Sequence, residues 1–157
     1  MPILLPNAAL VDQLVYANRI LYDQGIVDGL GHVSVRHPTE PGAYLLSCNR
    51  APAMVRRQDI TVYDYDGNTL SDQQERPYLE RFIHGEIYRA RPDVVAVVHS
   101  HSQSVIPFAV TKSALRPVFH MTGFLGEGSA DFEIRDAGGN TDMLIRSSYL
   151  GEALARS

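Results

Sequence analysis

The chain has 157 residues, 45% of them hydrophobic and 20% charged, which suits one globular domain with a single core. A net charge of −4 without any run of Lys and Arg excludes a nucleic-acid binder that tracks phosphates, and no apolar stretch approaches the roughly 20 residues of a membrane helix. The lone cysteine, Cys48, rules out an internal disulfide; together with an N-terminus (Met1 to Pro6) unlike a signal peptide, it predicts a soluble, cytoplasmic protein.

Asn7 is placed to cap a helix carrying Ala8, Val11, Leu14, Val15, Ile20 and Leu21 at helical spacing and stopping at Gly25. After the turn Asp28-Gly29-Leu30-Gly31, the alternation Val33-Ser34-Val35-Arg36 predicts a strand, and the Pro38 to Gly42 turn leads to a hairpin partner at Tyr44–Ser47. Ile60–Asp64 is a third strand, closed by Asp66-Gly67-Asn68. A long helix should follow with Pro77 in its first turn, burying Leu79, Phe82, Ile83, Ile87 and Ala90 and ending before Pro92.

Val94–Val98 is continuously apolar, which predicts a strand covered on both faces. A short helix over 102–110, a strand at 118–120 and a glycine-rich stretch over 123–139 come next, with at most a short strand at 132–134. A last amphipathic helix begins near Ser147 and runs into the C-terminus without a glycine or proline stop. Alternating strands and helices predict a sheet layered with helices.

His99-Ser100-His101 carries the sharpest chemical signal. Alternate residues of a strand share a face, so both imidazoles should emerge together where the strand ends, within reach of one divalent ion. Glu80, on the preceding helix, is either a ligand or proton shuttle, or a solvated carboxylate at a helix N-terminus. His84, four residues on, reads as a hydrogen-bonded structural histidine. His32 follows a glycine turn and either touches substrate or caps backbone; His120 is a further candidate for the same pocket, and His37 should be exposed. Tyr88 reads as a core or surface residue, and nothing around Cys48 suggests a nucleophile.

Gly31-His32-Val33-Ser34-Val35-Arg36, Asp64-Tyr65-Asp66-Gly67, Glu80 to His84, and Ile87 through Pro92-Asp93-Val94 into Val97-Val98-His99-Ser100-His101 together resemble the class II aldolase/adducin family, in its order and spacing from about residue 7 to 120. The resemblance implies a three-layer α/β/α fold around a mostly antiparallel sheet, one domain over 1–157, and a homotetramer with active sites between subunits. It puts His99 and His101 on two of three metal histidines and Glu80 on the acid/base residue. It implies Zn²⁺ or Mn²⁺ as cofactor, with Co²⁺ or Mg²⁺ as alternatives, acting as a Lewis acid that stabilises an enediolate-like intermediate during carbon–carbon cleavage.

Three departures shape the expected substrate. The family's third metal histidine lies beyond the last residue of this chain, so the sequence reads as C-terminally truncated unless a group such as His120 substitutes. Sugar-phosphate aldolases place two serines before the catalytic glutamate, where this chain has Tyr78 and Leu79. Their glycine turn for phosphate aligns with Asn49 and Arg50, and an arginine suits a planar carboxylate. Asn49, Arg50 and His32 are therefore the expected substrate-binding residues. The expectation is a metal-dependent decarboxylase of a hydroxylated aromatic or heteroaromatic acid; the alternatives are an aldolase acting on a non-phosphorylated hydroxy-carbonyl compound and a non-catalytic adducin-like scaffold.

Overall fold

The computed structural model describes residues 6–72, 75–126 and 128–157. The N-terminal stretch read as not being a signal peptide therefore lies, up to Leu5, outside the described residues. The first helix, α1 (Ala8–Asp23), begins where Asn7 Oδ1 accepts the Leu10 amide at 3.0 Å and ends at Gly25, whose φ of 66° reverses the chain. Three strands follow: β1 (His32–Arg36), β2 (Ala43–Ser47) and β3 (Ile60–Asp64). Helix α2 (Arg81–Ala90) then leads to β4 (Ala96–His99).

The four strands form one antiparallel sheet in the order β3-β2-β1-β4. Period-two alternation sorts its side chains into two layers. Val33, Ala43, Leu45, Ile60 and Val62 face α1 and join its Val11, Leu14 and Val15 in one core. Tyr44, Leu46, Tyr63 and Val97 face the other way and pack with Tyr78 and Tyr88 of the α2 region. The architecture is α/β/α, as expected.

Short helices α3 (Ile106–Ala109), α4 (Ile134–Gly138) and α5 (Ser148–Ala155) complete the described chain. Ser147 caps α5 through the Leu150 amide, and Ile134, Ile145 and Leu150 close a third cluster over Ile83 of α2. The helices approach tightly. A Cβ on Gly151 would lie 2.6 Å from the Phe82 carbonyl oxygen, and one on Gly85 only 2.2 Å from that of Tyr65.

Several expectations are corrected. Helix α2 starts at Arg81, after Pro77, because Tyr78 is drawn into the tyrosine core while Arg81 bonds back to the carbonyls of Gly67 and Tyr78 at 2.6 and 3.0 Å. Leu79 (56% exposed) and Ala90 are consequently surface residues, and the buried face belongs to Ile83, His84, Gly85, Glu86 and Tyr88. Strand β4 is an edge strand: α1 reaches over β1 but leaves Val95 and Val98 at 63% and 47% exposed. Residues 118–120 form no strand, since His120–Leu125 winds into a 3-10 turn, and residues 132–134 lead into α4 with Glu133 as its cap. His37 is buried rather than exposed, its Nδ1 accepting the Glu40 amide at 2.9 Å.

Candidate metal and substrate site

Strands β1 and β4 pair so that His32 sits directly opposite His99. The close approach depends on Gly31, where a Cβ would stand 2.7 Å from Val27 Cβ and 3.0 Å from the His99 carbonyl oxygen. Arg36, at the far end of β1, fastens the α2–β4 connection by donating to the carbonyls of Tyr88, Arg91 and Val94 at 2.7–3.0 Å. Strand pairing at one end and this clamp at the other set where β4 delivers its last residue.

The strand's exit does bring the two imidazoles together. His99 Nε2 and His101 Nε2 stand 2.9 Å apart with the rings edge to face. Two nitrogens each about 2.0–2.1 Å from a common ion would be separated by roughly 3 Å. Glu80, at the N-cap position of α2, makes no capping bond with its side chain. It instead brings Oε2 to 3.4 Å from His99 Nε2, while Oε1 accepts a long bond from the Ile145 amide at 3.4 Å. Two imidazoles and a carboxylate form one of the three-ligand sets used by catalytic zinc, so the donor chemistry fits a divalent cation.

Both contacts are made by His99, and the trio whose donor atoms all lie within 4.8 Å of one another is His32, Glu80 and His99, with the His32 and His99 rings stacked at 4.8 Å. His120 joins neither group: it is exposed on its 3-10 turn, with its ring against Phe119.

Each histidine is held from behind. Asp28 reaches His101 Nδ1 with both carboxylate oxygens at 3.1 Å, and its Oδ1 also accepts the Leu30 and Gly31 amides. Although burial opposes it, the Leu30 amide, His101 and the Gly31 amide hold the Asp28 carboxyl below its usual range. With Asp28 accepting at Nδ1, Nε2 is the His101 nitrogen left to offer a lone pair to a cation. His32 is backed by histidine. Its Nδ1 meets His84 Nε2 at 2.7 Å, His84 Nδ1 meets Ser34 Oγ at 2.7 Å, and Ser34 Oγ meets the Tyr88 hydroxyl at 2.7 Å.

Burial lowers the pKa of all three inner histidines. His84 falls to about 3, and His32 falls well below its ordinary value through burial and the neighbouring imidazoles. His99 is lowered by burial, with Glu80 pulling the other way. Their neutral forms dominate near neutral pH, as a metal-binding or hydrogen-bonding imidazole needs.

A cavity of about 240 Å³ opens beside these groups, walled by His32, Asn49, Tyr78, Glu80, His101 and Leu144 among others. Asn49 therefore lines the cavity. Arg50 is not among its walls; its Nε lies 2.9 Å from Asp59 Oδ1. A larger hollow of about 480 Å³ runs along residues 140–150 and contains none of the clustered histidines. Asp28, Ser34, Tyr88 and Leu144 are residues in or behind the site that the sequence did not assign to it, and Tyr78 stood out only as a departure from a phosphate-binding serine. Only Asp28 carries a signal, as an Asx-type turn residue, and that signal says nothing of His101.

Residues 12–156 match the Class II Aldolase and Adducin N-terminal domain. This chain belongs to that family. It is 35% identical over 156 residues to the decarboxylase tropJ of Talaromyces stipitatus, covering 96% of this chain and 59% of that protein. It is 32% identical over 123 residues to the 3,4-dihydroxyphthalate decarboxylase of Arthrobacter keyseri, covering 73% of this chain and 49% of the relative. Among solved structures it superposes on the L-fuculose 1-phosphate aldolase of Glaciozyma antarctica with a TM-score of 0.61 and 25% identity, over 74% of this chain and 52% of that one. The chain thus spans roughly half the length of the curated relatives it matches.

Proposed function

We propose that this chain forms the metal-binding domain of a divalent-metal-dependent carbon–carbon lyase, and that its substrate is a hydroxylated aromatic or heteroaromatic carboxylic acid that loses CO₂. The convergence of His99 Nε2, His101 Nε2 and the Glu80 carboxylate supports this reading most directly. These three side chains would hold the ion, which when bound supplies Lewis-acid polarisation of the substrate's oxygens and charge stabilisation. Zn²⁺ suits a set of two nitrogens and one carboxylate, and Mn²⁺ is the second choice.

The chain's own residues do the remaining work. Departure of CO₂ breaks a carbon–carbon bond and leaves its electron pair on the ring carbon, which must gain a proton. Glu80 lies at the cavity wall, and when not ligating the ion its carboxyl group would hand over that proton and recover it from solvent. His32 and Asn49 face the same space and would fix the substrate's oxygens. Tyr78 fills the floor beside His32, with the ring centroids 4.3 Å apart. Arg50, paired with Asp59, would act on a carboxylate only through the rest of its guanidinium.

Similarity to two decarboxylases, one acting on 3,4-dihydroxyphthalate, favours decarboxylation. Likeness to an L-fuculose 1-phosphate aldolase keeps aldol cleavage as a second reading, with Tyr78 and Leu79 at the phosphate-binding positions weighing against a phosphorylated sugar. The same reading carries a homotetramer in the cytoplasm; no helix among the described residues is long and apolar enough to cross a membrane. Incubation with dihydroxybenzoate and dihydroxyphthalate isomers, with and without a chelator, tests it. Metal-restored CO₂ release is expected. Bound metal without turnover of any such acid or of hydroxy-carbonyl substrates would leave a scaffold.

A further inference from the structure

His32 and His101 compete for the same role. Each flanks His99, and each lines the cavity. Their hydrogen-bond partners separate them.

His32, His84, Ser34 and Tyr88 are all at most 1% exposed and are joined by three hydrogen bonds of 2.7 Å. Both imidazoles are buried and hydrogen-bonded only to neutral groups, so each ring carries one N–H, and each hydroxyl carries one O–H. Four protons are therefore available for three bonds, and one must point out of the chain, at either end or from Ser34 Oγ, which could instead accept from both neighbours. At the Tyr88 end, the hydroxyl has no acceptor among the described residues other than Ser34 Oγ. Ser34 Oγ likewise has no hydrogen-bond partner among the described residues beyond His84 and Tyr88. Turning either hydroxyl proton out of the chain would strand a buried O–H at a cost of about 1–3 kcal/mol. At the His32 end, the residue lines the cavity and Nε2 has no hydrogen-bond partner among the described residues, so it can carry the surplus.

The order then follows link by link. Tyr88 donates to Ser34 Oγ, Ser34 donates to His84 Nδ1, and His84 Nε2–H donates to His32 Nδ1. His32 keeps its proton on Nε2. A nitrogen bearing that proton has no lone pair for a metal, whereas His101, backed by the Asp28 carboxylate, has one.

We propose that the Tyr88–Ser34–His84 chain locks His32 as a hydrogen-bond donor to an anionic oxygen of the substrate and excludes it from the metal's ligand set, with His84 and Tyr88 acting as positioning residues. The donor order stands on the hydrogen-bond geometry alone; the division of labour with the metal rests on the lyase reading above.

The test is ¹⁵N-resolved NMR of the histidine side chains in the metal-free protein, followed by Zn²⁺ titration. The proposal expects His32 and His84 both protonated at Nε2 and bare at Nδ1. In Ser34→Ala, which removes the donor to His84 Nδ1, His32 should show a second tautomer although no hydrogen bond joins it to residue 34. A His32 protonated at Nδ1, or a His32 pattern indifferent to Ser34→Ala, overturns the lock. In the titration, His32→Gln should keep zinc affinity within about threefold while His99→Gln loses at least about tenfold. Equal losses overturn the exclusion of His32 from the ligand set. If the unaltered protein binds no zinc, the metal reading falls while the tautomer result stands.

Discussion

His32 and His101 border the same cavity and the same neighbour, His99, yet they are held by opposite means. His32 belongs to β1 and is pinned by a closed, fully buried chain of neutral groups that reaches through His84 and Ser34 to Tyr88. His101 follows the end of β4 on a partly exposed turn and is oriented by one carboxylate, Asp28, itself half-exposed. The buried half resists change because every polar atom in it depends on the next. The exposed half is adjustable, and an anion behind an imidazole is what a cation in front of it calls for. Each backing group thus matches the role assigned to its histidine.

The largest break in this comparison should come from His99, which both halves share. His99→Ala should lower metal-dependent turnover by about 100-fold or more, since Lewis-acid stabilisation contributes several kcal/mol; steady-state kinetics at saturating metal would read it. Next comes a steric break of the buried half. Gly85→Ala drives a methyl into the Tyr65 carbonyl, which backbone cannot relieve, and should cost roughly 1–3 kcal/mol in denaturant unfolding with a fall in metal affinity no larger than that instability explains.

The exposed half breaks differently. Asp28→Ala should weaken metal binding by about 10–100-fold while leaving the melting temperature almost unchanged, read by titration calorimetry and thermal unfolding on the same sample.

The buried half also predicts an acid limb in stability. His84 titrates at about 3 when folded against 6.5 when free, so between those values the unfolded chain binds a proton that the folded chain does not. Stability should be complete above pH 6.5 and fall by about 1.4 kcal/mol per pH unit below it. In His84→Gln that part of the slope should disappear, whatever the variant's absolute stability.

The smallest effect concerns a residue whose sequence is misleading. As part of a helical core stripe, Leu79→Ala should cost about 2–5 kcal/mol; as the exposed cavity-wall residue it is, the change should stay within about 0.5 kcal/mol. Leu79 shows where sequence reading stops. Its spacing from Phe82 and Ile83 is helical, but Tyr78 found tertiary partners that delayed the helix until Arg81. Local periodicity reports a face, not what covers it, which is also why the Val94–Val98 run looked doubly covered while Val95 and Val98 remain open. The strands β1 to β3, α1 and the capped start of α5 were legible because turn residues and alternation act within a few positions. His99, His101 and Glu80 stood out through strand alternation and a family pattern. Asp28, Ser34 and Tyr88 did not, because their roles arise from contacts across the sheet that neither residue type nor spacing encodes.

The central claim is that His99, His101 and Glu80 share one divalent cation, and isothermal titration of the metal-free protein with Zn²⁺ tests it most directly. About one equivalent should bind, with affinity reduced at least about tenfold in each of His99→Ala, His101→Ala and Glu80→Gln. Binding that all three variants retain, or no binding by the unaltered protein, would contradict the account.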